Sequence, residues 1–522
     1  MNPKVLLIAV DGADPIFVQR GVQEGLMPCL ARLMKEGCWG LLRSTMPPIS
    51  CPAWISMRTG KNPGRLGFCD FYRLVPGTYR LEMVNYQIPD AAFWEVLSDQ
   101  GFRVGVVSIH MTYPPTPVNG VMISPVYARS NVFSYPPQLQ AEIEAQIGKR
   151  EYAITDREQF ISNMWEVHWQ IEENRFQLAQ AVWARGPFDL FACGFDIDRV
   201  HHYVAETETL LAFYEGVDRI VGRMLELTQP ANVIIISDHG GGPVRGHLYI
   251  NRWLQEQGFL RLLPGQERQQ RLPVDRVARA LRKTWLARIL RPLVPVETRR
   301  RLIHARAPLF EDMASRIDWA HTLAFAPFEN AIYINVRGRF PHGVVSPDEY
   351  GAVRRRITKA LLSLRDPDSG EPYCMEVHTR EDVFHGPYED KLPDIIFFSP
   401  DLYVRSLFGP RALTRARPGG RVGGHRMDGV FIAQGRDFAP QGRVEGLSIL
   451  DVAPTILHLF GAPIPEDVDG RVREDLFAPD SPASHRPPRY LPAREFHRHR
   501  VPHPEEDTWQ VEERLRALGY IE

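Results

Sequence analysis

Short continuous apolar runs punctuate the chain at residues 5–10, 104–108, 189–194, 233–237 and 430–433. Strands buried on both faces of a parallel sheet read this way, because neither face meets water. Between the runs, apolar positions recur at helical spacing over residues 28–35, 91–99, 209–227 and 450–460, with Gly37, Gly101, Pro230 and Gly461 at the ends as stop signals. Alternating strand and helix patterns predict a doubly wound, mainly parallel α/β sheet. In such a sheet the ligand crevice lies beyond the carboxyl ends of the strands. Asp11 follows the first run, Asp196 and Asp198 follow the third, and Asp238-His239 follow the fourth. One rim of the sheet is therefore expected to carry acids and histidines.

The alternation breaks after Trp253-Leu254. Val274, Val277, Ala278, Leu281, Trp285 and Ile289 keep helical spacing, with Arg276, Arg279, Arg282 and Lys283 largely on other faces. From Arg261 to Arg306 there are thirteen Lys/Arg and three acids, a local charge of +10 that leaves −11 for the rest of a chain whose total is −1. The charge balance thus excludes a globally basic nucleic-acid binder, and no nucleic-acid motif is present. The insert reads as a solvated helical face, a lid that attracts anions, or a membrane or nucleic-acid patch. The expected organisation of the 522 residues is a catalytic core over 1–254, a basic helical insertion or lid over 255–316, the second part of the core over 317–478, and a Pro-rich extended tail over 479–522 with a short helix near 512–518.

The apolar run at 5–10 is far shorter than the ~20 residues of a membrane span and lacks a small-residue cleavage site, so it reads as a first strand rather than a signal peptide. Six scattered cysteines without a CxxC pair fit a reducing compartment. A cytoplasmic location is the expectation.

Two pairs carry the chemistry. Asp198 and His202 stand four apart, on one face of a helical turn, which gives a metal two ligands. Asp238-His239 supplies two more, followed by Gly240, Gly241 and Gly242, which let the backbone bend sharply. Carboxylate oxygens mixed with imidazole nitrogens suit Zn²⁺, with Mn²⁺ as the alternative, and there are ligands enough for two ions. Two metals ~3.5–4 Å apart clamp the attacking and leaving oxygens in phosphoryl transfer. Ser50, in Met46-Pro-Pro-Ile-Ser50-Cys51-Pro52-Ala53-Trp54, is the candidate nucleophile.

Together with Gly424-His425-Arg426, Met111-Thr-Tyr113-Pro-Pro115, Asn251-Arg-Trp-Leu254, Asp451-Val-Ala-Pro-Thr455 and Leu515-Arg-Ala-Leu-Gly519-Tyr520, these segments resemble the alkaline phosphatase superfamily, and within it the type I phosphodiesterase/nucleotide pyrophosphatase branch. The resemblance spans nearly the whole chain. It implies one metal held by Asp198, His202 and His425 and a second held by Asp11, Asp238 and His239, with Ser50 bridging or adjoining the ions and attacking phosphorus. It also implies a phosphoseryl intermediate, hydrolysed in a second in-line step.

Several departures bear on substrate. Cys51 competes with Ser50 as nucleophile, since thiolates are intrinsically stronger, but the Ser50-x-Pro52-x-Trp54 alignment favours Ser50. Sulfatases of the superfamily carry Arg where this chain has Trp54, which argues against sulfate esters. The pyrophosphatases of the branch typically place Asn three residues after the nucleophile, where this chain has Ala53, so oxyanion contacts are expected from backbone N–H groups, Arg58 or Lys61. Trp54, Lys61 and Tyr113 are the expected substrate contacts. His201, His247 and Asp196 are near misses, read as structural or supporting. The expected activity is metal-dependent hydrolysis of a small phosphoric ester, foremost a diester. Phosphotransfer to an alcohol, or a degenerate binding protein using the basic insert, are the competing outcomes.

Overall fold

The computed structural model describes residues 4–84, 88–125, 133–148, 157–266, 313–417 and 420–498. The helix expected in the basic insert and the one near the C-terminus lie outside these residues.

A nine-stranded sheet forms the centre, in the spatial order Gly442–Ser448, Cys38–Arg43, Asp428–Gly435, Asn232–Ile236, Val5–Asp11, Leu190–Asp196, Val104–Val107, Gly120–Ile123 and Ser134–Tyr135. All five apolar runs are strands of this sheet, and they occupy its five adjacent central places. The first strand shows why: every residue from Val5 to Asp11 is buried. Val5, Leu7 and Ala9 point into one apolar core with Trp54, Trp94 and Leu457. Leu6, Ile8 and Val10 point into the other with Phe17, Leu30 and Tyr214. Helices Ser50–Thr59, Phe93–Asp99 and Val452–Phe460 cover the first face, and Pro15–Gln23, Pro28–Glu36, Met164–Trp183 and Thr207–Thr228 the second.

Register sets the rim. Val5–Asp11 runs parallel to Leu190–Asp196, with Asp11 beside Asp196, and parallel to Asn232–Ile236, with Ala9 beside Ile236. Asp428–Gly435 runs antiparallel, with Phe431 beside Ile236. It therefore starts at the edge where the parallel strands end, and residues just before it land on the same rim.

The flanking strands do not form apolar runs, since they lie toward the sheet margin: Cys38–Arg43 alternates buried with half-buried residues before its exposed last residue, and Gly442–Ser448 buries only Val444 and Leu447. A third apolar core lies apart from the main sheet. There Ala324–Phe325, Ala331–Ile334, Ile395–Phe398 and Glu376–Thr379 form a small antiparallel sheet, packed by Val353, Ile357 and Leu361 of helix Pro347–Leu362.

Asp394 ties this satellite sheet together. Its fully buried carboxylate accepts from Arg339 Nη1 at 2.7 and 2.8 Å, from the Tyr350 hydroxyl at 2.9 Å, from Arg380 Nη1 at 3.3 Å and from the Ile334 amide at 2.7 Å. Removing one partner of a buried ion pair strands the others, at about 3–5 kcal/mol. Asp394→Ala is expected to lower the unfolding free energy measured by urea titration by a corresponding amount, whereas removal of the exposed Arg415–Asp368 pair changes it by less than about 1 kcal/mol.

Candidate metal centre

Five chain segments meet at the rim. Asp11 ends the first strand, and Gly12 turns the chain at φ +75°. A Cβ on Gly12 would lie 2.5 Å from Asp198 Cβ, so only glycine lets the two acid-bearing segments approach. Asp198 opens the short helix Asp198–Tyr203, whose last turn brings His202 back beneath it. Asp238 and His239 follow Asn232–Ile236 and lead into Gly240–Pro243, which pairs with Gly423–Arg426 so that Gly241 faces His425. A Cβ on Gly423 would meet the His201 carbonyl oxygen at 1.9 Å, which explains the glycine at that position. Ser50 begins helix Ser50–Thr59, all of it buried.

All seven expected ligand and nucleophile residues converge. Asp11, Ser50, Asp198, Asp238 and His239 are completely buried, His202 nearly so, and His425 is part-buried. His239 Nε2 has Ser50 Oγ at 3.0 Å, Asp238 Oδ2 at 3.2 Å and Asp11 Oδ1 at 3.7 Å. Asp198 Oδ2 stands 3.0 Å from His202 Nε2, and Asp198 Oδ1 stands 3.5 Å from His425 Nε2. The rings of His239 and His425 stack at 4.0 Å.

The outer nitrogens decide what these histidines offer. His425 Nδ1 lies 2.7 Å from the Pro48 carbonyl and His239 Nδ1 lies 3.0 Å from the Gly240 carbonyl. A carbonyl only accepts, so each Nδ1 holds the proton and each Nε2 turns a lone pair into the site. Burial lowers the pKa of His202 to about 4 and that of His425 well below the usual histidine range, which keeps both neutral at pH 7. Both oxygens of Asp198, Asp238 Oδ2 and His425 Nε2 are buried without a hydrogen-bond partner among the described residues. Unpaired acceptors packed this closely are the donor set of a cation site.

Two three-residue groups satisfy ligand geometry here: Asp198, His239 and His425, and Asp11, Asp238 and His239. His239 falls in both, and with Nδ1 engaged it has one nitrogen left to offer. His202 Nε2 lies 3.0 Å from Asp198 Oδ2, beside the first group.

The arrangement excludes a serine-hydrolase triad. In a triad the acid hydrogen-bonds the histidine nitrogen remote from the serine. Here Ser50 and Asp238 crowd the same Nε2, and the remote nitrogen bonds a carbonyl.

His110 belongs to the site and was not singled out from the sequence. Its Nε2 lies 3.5 Å from Asp11 Oδ2, and with Asp11 and Asp196 it forms a third group of metal-ligand geometry. Burial lowers its pKa to about 3. The signal was present: His110 follows an apolar run, as Asp11 does. It sits between two non-glycine residues at positive φ, Ser108 at 56° and Met111 at 58°, a strain that concentrates at functional sites. Asp196 is buried against Arg199 at 3.3 Å and Arg175 at 3.9 Å. Burial opposes its ionisation, but the two guanidiniums outweigh it and hold the carboxyl below its usual range.

Other candidates stand elsewhere. Trp54 and Tyr113 are buried in the apolar core, with the Trp54 ring stacked on His110 at 5.8 Å. Lys61 is buried, its ammonium paired with Asp90 and, at 2.6 Å, with Asp467. Arg58 donates to the Met111 carbonyl at 2.6 Å. These side chains have packing and ion-pair roles: Trp54 and Arg58 lie on a helix with no exposed face, Tyr113 is packed in the core, and Lys61 is held by its two carboxylates. His201 Nε2 bonds the Tyr214 hydroxyl at 2.9 Å and His247 Nε2 bonds the Arg421 carbonyl at 2.8 Å.

A profile of the type I phosphodiesterase / nucleotide pyrophosphatase family matches residues 5–420. The chain belongs to this family. Its members are phosphoric-ester hydrolases of the alkaline phosphatase superfamily, and the central sheet is the fold of that superfamily. A search of curated proteins finds no match by sequence. Among solved structures, phosphonoacetate hydrolase from Sinorhizobium meliloti, in complex with phosphonoformate, is 17% identical with a TM-score of 0.54, over 86% of this chain and 94% of that one. Murine ectonucleotide pyrophosphatase / phosphodiesterase 5 is 13% identical with a TM-score of 0.49, over 91% of this chain and 100% of that one. Membership in this metal-dependent family agrees with the donor sets at the rim. Among the described residues, no helix is long and apolar enough to cross a membrane.

Cys51 provides a direct check on the nucleophile. Burial raises its thiol pKa well above the usual value, as it does for Cys69, whereas Cys374 is exposed. Iodoacetamide under native conditions is expected to alkylate Cys374 and leave Cys51 unmodified by peptide mass mapping; rapid labelling of Cys51 would reopen the thiolate reading.

Proposed function

We propose that this family member is a two-metal phosphoric-ester hydrolase, foremost a phosphodiesterase, in which Ser50 Oγ is the nucleophile and zinc is the metal. The observation that carries the reading is the position of Ser50 Oγ, 3.0 Å from the inward lone pair of His239, where the two ligand groups join. Asp198, His202 and His425 would hold one ion, and Asp11, Asp238 and His239 the other. When bound, divalent cations supply Lewis-acid polarisation of the phosphoryl oxygens and offset the charge of three buried carboxylates.

The chain's own groups supply the rest. The helix opening at Ser50 aims its N-terminal dipole at the site, which favours a phosphate anion there. The Pro48 and Gly240 carbonyls fix the tautomers of His425 and His239, so the lone pairs point inward before substrate arrives. Ser50 Oγ passes its proton to solvent water and forms a bond to phosphorus as the ester P–O bond breaks on the opposite side, the leaving oxygen taking up a proton from solvent. Water then attacks phosphorus, the P–Oγ bond breaks, and Ser50 Oγ takes up the proton that the water loses. Two in-line displacements give net retention at phosphorus.

Wild-type protein is expected to take up about two zinc ions by elemental analysis and to hydrolyse aryl phosphodiesters. Ser50→Ala should retain the metal and lose turnover by at least about a thousandfold. Full activity in that variant rejects the covalent route, and a folded wild-type protein that binds no transition metal rejects the proposal. His202→Ala should lower the zinc stoichiometry by one while the ion at Asp11, Asp238 and His239 remains.

A further inference from the structure

Helix Asp198–Tyr203 carries two of the expected ligands in only six residues. A helix this short is unstable by itself, so its position is imposed by its surroundings. Its start is fixed by the central strand: the Ile197 amide donates to the Asp11 carbonyl at 3.0 Å, and Asp198 presses against Gly12. A single fixed point would let the helix pivot, and His202 stands about one turn beyond it.

Tyr214 supplies a second fixed point. It lies on helix Thr207–Thr228, completely buried, with its ring stacked on Phe17 at 5.5 Å. The Asp14 amide donates to its hydroxyl oxygen at 2.6 Å, and His201 Nε2 lies 2.9 Å from the same oxygen. An amide nitrogen only donates, so the hydroxyl accepts from Asp14 and gives its own hydrogen to His201 Nε2. Burial raises the Tyr214 pKa well above the usual tyrosine range, which keeps that hydrogen in place at neutral pH.

Both partners adjoin ligands. Asp14 follows Asp11 by three residues, and His201 immediately precedes His202. The His201 ring also closes on the strand that pairs with the one carrying His425: a Cβ on Gly241 would lie 2.7 Å from His201 Cδ2, and Gly241 is the register partner of His425. The ring is wedged between a hydroxyl and a backbone with no room for a side chain. One hydroxyl thereby joins the loop after Asp11, which serves one ligand group, to the helix and hairpin that serve the other.

Building on the two-metal reading above, we propose that Tyr214 is a positioning residue whose hydroxyl sets the spacing between the two ligand groups. It acts through Asp14 and His201. A lone ion is held by its own three ligands, whereas two ions that clamp one phosphoryl group must stand ~3.5–4 Å apart. The bridge therefore matters when both ions are bound. The aromatic ring packs the core with or without its oxygen, so Tyr214→Phe separates the bridge from the packing.

The test is a double-mutant cycle on the full-length protein, with zinc affinities measured by chelator competition in wild type, Tyr214→Phe, His202→Ala and the double variant. Tyr214→Phe is expected to weaken the second zinc ion roughly tenfold, the worth of one buried hydrogen bond. In the His202→Ala background, where one ion remains at Asp11, Asp238 and His239, adding Tyr214→Phe should change its affinity by less than about twofold. A side chain that merely supports the fold would weaken zinc in both backgrounds alike, so equal losses overturn the proposal. An unchanged second affinity in Tyr214→Phe overturns it as well. If that variant folds poorly, His201→Leu removes the acceptor in place of the donor and is read in the same two backgrounds. A wild-type protein that binds a single zinc ion overturns the two-metal reading and this proposal together, whereas the outcomes above, with two ions bound by wild type, overturn the role of Tyr214 alone.

Discussion

Parallel pairing of the first strand with two strands that follow it late in the chain is the constraint on which this site depends. Leu190–Asp196 and Asn232–Ile236 flank Val5–Asp11 in fixed register, so their carboxyl ends stop at one edge. A one-residue slip would exchange the two cores, driving Leu6, Ile8 and Val10 into space shaped for Val5, Leu7 and Ala9. At ~25 cal/mol per Å² of buried apolar surface, side chains packed on both faces hold that register strongly. The precision of the acid cluster is thus inherited from hydrocarbon packing beneath it.

That precision carries a cost. Asp11, Asp198 and Asp238 are fully buried with at least one unpaired oxygen on Asp198 and Asp238, and the Nε2 of His425 beside them is unpaired as well. Such an assembly is unfavourable alone, since buried charges without partners forgo several kcal/mol of hydration each. A cation bound there would remove the conflict, which would couple the stability of this rim to its chemistry. Beside it, Asp196 is balanced internally by Arg175 and Arg199. Two neighbouring strand ends therefore resolve the same electrostatic problem differently, one through guanidiniums and one through a cation site.

Glycine is the other device that makes the rim possible. Gly12 and Gly423 admit contacts with Asp198 and with the His201 carbonyl that a single methyl group would forbid. The same close approach seats His425 against His239 and leaves Arg421 within reach of His202. Arg421 and the ligand strand are one structural unit.

Much of this was legible in the chain itself. Apolar runs revealed the central strands because burial on both faces removes any need for polar residues, and acids placed directly after those runs marked the rim. The motif order pointed to the family and to the seven residues that converge at the rim. Marginal strands such as Gly442–Ser448 were not legible, because half-exposed residues dilute the apolar signal. Side-chain surroundings were not legible either. Trp54 and Lys61 lie close to Ser50 in sequence, yet one is packed in the core and the other is held by Asp90 and Asp467 from remote segments. His110 and Arg421 joined the site only through contacts made across the sheet and between loops. Local pattern determined which residues form strands and which end them, since that depends on burial and chain stiffness; tertiary packing decided which side chains face one another, since a contact between residues hundreds of positions apart leaves no periodic trace in either segment.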